Sequence, residues 1–136
     1  MSNSLTYLTI ALFLLLLGCD EGYEYDNLLV GKTTELEVGR KVSNARHGLS
    51  LQVQSVTDSR CAIGLVCVWE GYAAVRFNLI TKKREYDFTL DTHRLSPFRN
   101  DTIIEGLKFE LVDVLPYPVA DEDQPSKIVK ILVDKY

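Results

Sequence analysis

Cys61 and Cys67 are the residues whose type and spacing carry the most definite chemistry in this 136-residue chain. Two thiols six positions apart can close a bridge around Ala62-Ile63-Gly64-Leu65-Val66, stay free and buried, or supply half of a metal site. The metal reading lacks partners, because no second cysteine pair and no nearby histidine completes four ligands. His47 lies in Asn44-Ala45-Arg46-His47-Gly48 and His93 in Asp91-Thr92-His93-Arg94. Lone histidines in such turns are read as solvated surface groups, not as acid–base or metal groups. Asp121-Glu122-Asp123 lacks the alternating oxygen ligands and turn glycine of a calcium loop and is read as a solvated acidic loop. No Gly-rich phosphate loop or nucleophile elbow is present. The expectation is no cofactor, no metal and no enzymatic activity.

Cys19 has different surroundings. Leu5 to Leu17 are mostly apolar, then Gly18 and Cys19 lead into Asp20 and Glu21. The run is shorter than the ~20 residues that span a bilayer, so it reads as a signal-peptide core. Leu16-Leu17-Gly18-Cys19 resembles the bacterial lipobox. That resemblance implies cleavage before Cys19, a thioether-linked diacylglycerol on its sulfur, and attachment to the membrane by lipid alone. At ~0.8 kcal/mol per buried methylene, the three acyl chains typical of such proteins make attachment practically permanent. The expected location is the bacterial cell envelope, on the periplasmic side or at the cell surface. Asp20 and Glu21 also resemble sorting signals of some Gram-negative lineages, a resemblance that implies retention at the inner membrane where Asp follows the Cys, or transfer to the surface where an acidic run does. In an oxidising compartment the two remaining thiols pair, so a Cys61–Cys67 disulfide is expected. Closing so short a loop constrains the unfolded chain by about 2.4 kcal/mol.

Cleavage leaves about 118 residues, enough for one core. The chain divides into a signal peptide (1–18), an acidic flexible tether with Asp20, Glu21, Glu24 and Asp26 (19–31), and a single domain (32–136). The formal net charge is −4, and Lys82-Lys83-Arg84 is the one basic cluster. It is read as a solvated hairpin tip, and nucleic acid is excluded as a partner.

The elements that must position the cysteines are strands. Thr34 to Val38 alternate, and Gly39-Arg40 turns the chain into Lys41-Val42-Ser43. Leu49, Leu51 and Val53 share one face; Ala73, Val75, Phe77 and Leu79 repeat the pattern; Thr81 to Arg84 turn into Tyr86, Phe88 and Leu90, which makes a hairpin. After a looser stretch with Pro97, Leu107, Phe109 and Leu111 resume, while Val112 and Val114 break phase as a bulge or a two-sided buried segment would. Ile128 to Val133 is nearly continuously apolar and reads as a strand buried between two layers. About seven to eight short strands without a helix indicate an all-β fold, an antiparallel β-sandwich or small barrel.

The segment Asp58-Ser59-Arg60-Cys61, five residues, Cys67-Val68-Trp69-Glu70-Gly71-Tyr72-Ala73 is too particular to follow from composition. It resembles a set of small, uncharacterised bacterial lipoproteins in which a strand ends in Asp-Ser-Arg-Cys-Pro and a second Cys-x-Trp-x-Gly-x-Ala opens the next strand. Ala62 stands where that pattern has Pro. The likeness continues through Gly106-Leu107-Lys108-Phe109 and Leu115-Pro116-Tyr117-Pro118. It implies a β-sandwich lipoprotein and carries no activity. From the residues themselves, Trp69 is expected to pack on the disulfide and Arg60 to pair with Asp58 or Glu70. Alternatively, Ile63, Leu65, Val66, Trp69 and Tyr72 form a recognition loop, since a constrained apolar loop loses little entropy on binding.

These readings make the chain a lipid-anchored, non-catalytic interaction module whose partners are the membrane and an envelope protein or glycan. Two alternatives stand beside it: a protease inhibitor presenting the Cys61–Cys67 loop, and a glycan-binding module using Trp69, Tyr72 or Tyr117.

Overall fold

Apolar residues at every second position set the strands, because successive side chains leave a strand on opposite faces. In a computed structural model, which describes residues 27–93 and 99–136, eight strands form in order. They are β1 (Lys32–Glu37), β2 (Lys41–Asn44), β3 (Leu49–Asp58), β4 (Ala73–Ile80), β5 (Glu85–Asp91), β6 (Asp101–Ile104), β7 (Leu107–Leu115) and β8 (Ile128–Lys135). The residues read as signal peptide, and Cys19 with the first part of the tether, lie outside the described residues.

The fold is all-β. Two antiparallel sheets of four strands, β2-β3-β4-β5 and β1-β8-β7-β6, stack as a sandwich and do not close into a barrel. Leu51, Val53, Val75, Phe77 and Leu79 face Leu36, Phe109, Leu111, Val129, Ile131 and Val133 across the core, all buried. Phe88 of β5 stacks on Phe77 at 5.3 Å and leans on Phe109 of the other sheet at 5.6 Å, which ties the layers together.

Three details differ from the pattern reading. β8 is not uniformly buried: Val129, Ile131 and Val133 are inside, while Ile128, Lys130 and Leu132 are half-buried on the outer face. β6 was not marked by periodicity, because its four residues Asp-Thr-Ile-Ile form a short edge strand held by β7 alone. The packed unit also begins earlier than residue 32. Leu28 is fully buried, its N–H donates to the Ser43 carbonyl, and Val30 bridges to Val133. The phase break at Val112 is a bulge, where the register against β8 shifts between Leu111 and Asp113.

The registers fix which connections share an end. Residue 27 joins beside Ser43, at the end that also carries the turns at 45–48, 81–84 and 105–106. Glu105 accepts hydrogen bonds there from Thr81 and Tyr86, linking the two sheets. The 59–72 connection and the 116–127 connection lie at the opposite end, about 25 Å away for strands of eight residues.

Candidate functional site: the stapled loop and the cleft at its foot

The β3–β4 ladder continues past the strand ends. Ser59 N–H donates to the Tyr72 carbonyl at 2.9 Å and Cys61 N–H to the Glu70 carbonyl at 2.8 Å. Gly71 sits between these bonds at φ 68°, where an added Cβ would stand 1.9 Å from the Ser59 carbonyl oxygen. Only glycine fits there. Beyond the ladder the Cys61–Cys67 disulfide is formed and closes the tip. A turn from Ala62 to Leu65 follows, with Gly64 at φ 95° in its third position, a left-handed conformation that suits glycine.

The tip is docked on the neighbouring connection. Ile63 N–H donates to Pro118 at 2.9 Å and Ala120 N–H to Ile63 at 3.0 Å. Below it, Asp58 gathers two cations. Arg60 donates through Nε at 2.8 Å and Nη2 at 2.7 Å, and Lys127 Nζ approaches the same carboxylate at 3.0 Å. The side chains of Arg60 and Asp58 are only 6% and 8% exposed. Burial pushes the Asp58 carboxyl up, but the hydrogen bonds from Arg60 and Lys127 outweigh it and bring its pKa from 3.8 to about 2. The Asp58 hydrogen bond in turn raises Arg60 above its ordinary value, against the effect of burial. Arg60 also lies over the Tyr117 ring, 4.3 Å from its centroid. Of the two partners expected for Arg60, Asp58 is the one used.

The large apolar residues of the tip face out. Val66 and Val68 are essentially fully exposed, Trp69 is 79% exposed, and Ile63 and Leu65 are more than half exposed. Trp69 therefore does not bury itself on the disulfide, as one reading of the sequence had indicated. Tyr72 is half-buried, and its ring centre lies 6.5 Å from that of His93.

No model of a known family, no curated protein and no solved structure matches this chain. The side chains themselves must therefore carry any functional conclusion.

At the foot of the loop is a cleft of about 380 Å³ lined by Arg60, Glu70, Gly71, Thr92, His93, Val112, Asp113 and Tyr117. It joins three segments distant in sequence, so His93, Asp113 and Thr92 carried no local signal. Lys127, which braces Asp58 and donates to the Pro116 carbonyl at 2.8 Å, was equally silent. His47 instead holds its own turn through Asn44. Among the described residues no group of three His, Cys, Asp or Glu side chains could hold a metal.

Proposed function

We propose that this chain is a lipid-anchored protein of the bacterial cell envelope, held by Cys19, whose stapled tip is a non-catalytic contact surface for another envelope protein. One observation carries the reading. Ile63, Leu65, Val66, Val68 and Trp69 form an apolar patch in water, on a segment from Cys61 to Trp69 without a charge. The disulfide and the bonds to Pro118 and Ala120 preorganise that patch, so docking loses little loop entropy.

In-cell photo-cross-linking from position 65 of the full-length protein tests this, with position 83 at the opposite end as control. A discrete protein adduct at 65, absent at 83 and lost in Cys19→Ala, is expected. Adducts of equal pattern at both positions, or none at 65, would refute a contact role for the tip.

A further inference from the structure

The cleft beside the tip has its own chemistry. Arg60 lines it, with two of its three nitrogens committed to Asp58. The third, Nη1, stands 3.9 Å from Asp113 Oδ1, too far for a hydrogen bond. A guanidinium 6% exposed thus lines the cleft with one nitrogen outside the Asp58 pair, held in place by Asp58 and the Tyr117 ring. Thr92 Oγ1 already accepts the Ala73 N–H at 3.0 Å, which leaves its hydroxyl proton to donate. Glu70 and Asp113 supply carboxylate acceptors; the Glu70 side chain makes no hydrogen bond or ion pair within the described residues, and Asp113 Oδ1 accepts only the neighbouring Val114 N–H, at 2.7 Å. Gly71 contributes bare backbone, because no side chain fits at that position.

From these groups the geometry points to a binding site for a neutral, polyhydroxylated ligand of the saccharide class. The two lining carboxylates oppose an anion, and Arg60 beside them opposes a cation or a metal. An apolar ligand would meet little besides Val112 and the Tyr117 ring. A hydroxyl both donates and accepts, so a ligand rich in hydroxyls satisfies fixed donors and fixed acceptors together. The volume is at the small end for ligand sites and suits about one or two sugar rings. This inference rests on the cleft and not on the tip, so either can fail alone.

The full-length protein in detergent, disulfide intact, is titrated with glucose, maltotriose and chitotriose, and with inorganic phosphate and spermidine as charged probes. Saturation-transfer NMR detects binding and calorimetry measures it. Binding of at least one trisaccharide is expected, with neither charged probe bound. Glu70→Gln and Asp113→Asn, which preserve shape, should each weaken it about fivefold or more, the loss of one hydrogen bond, with an unchanged circular-dichroism spectrum. Glucose binding alongside the trisaccharides would mark free sugar as the source; trisaccharides alone would mark a glycan chain. No saccharide bound, phosphate or spermidine bound instead, or binding indifferent to both substitutions would overturn the assignment.

Discussion

Asp58 accepts from Arg60 and Lys127 at once, and the loop above it depends on that junction. Its folded pKa of about 2 lies below the unfolded value, so the native state binds this proton less tightly. The stabilisation is complete above about pH 4 and is lost as pH falls from about 4 to about 2. After allowance for solvent screening it amounts to about 1–2 kcal/mol. Urea unfolding followed by circular dichroism should show this acid limb, and Asp58→Asn should remove it. At pH 7 the same substitution leaves two cations without their carboxylate and should cost about 3 kcal/mol. An acid limb unchanged in the variant would show that other carboxylates govern it. The Arg60–Asp58 pair was legible because the partners are two residues apart. Lys127 was not, since it lies 69 positions beyond Asp58 and no local pattern announces a contact of that range.

At the scale of elements, Gly71 decides whether β3 and β4 can run on together toward the disulfide. Gly71→Ala puts a methyl group onto the Ser59 backbone, which cannot swing aside as a flexible side chain could. Its thermal midpoint should collapse, with a loss of about 3 kcal/mol or more. Gly39→Ala, at φ 85° with open space around the added carbon, should cost only about 1 kcal/mol. Equal losses would mean that backbone strain alone, not the close approach, makes glycine necessary. Most strands were readable from their apolar pattern, β6 excepted, and the phase slip at Val112 marked a bulge as one of its two readings. What periodicity could not give is the docking of the 59–72 connection on the 116–127 connection. That contact is made by backbone groups of Ile63, Pro118 and Ala120, whose hydrogen bonds do not depend on side-chain type.

At the scale of the molecule the sandwich is polar in its layout. Residue 27 joins at one end, while the uncharged tip and the mixed-charge cleft share the other with the acidic loop at 121–123. Composition and pattern were sufficient for the all-β class and for the disulfide, whereas the cleft required three remote segments to meet in space. The exposure of Trp69 has a consequence for anyone handling the protein. It is the chain's single tryptophan, and its indole stands in water in the native state as it would in the denatured chain. Its fluorescence should therefore stay almost constant across the urea transition that circular dichroism records. The same emission should shift to the blue when anything covers the tip, giving an optical signal blind to folding and responsive to docking.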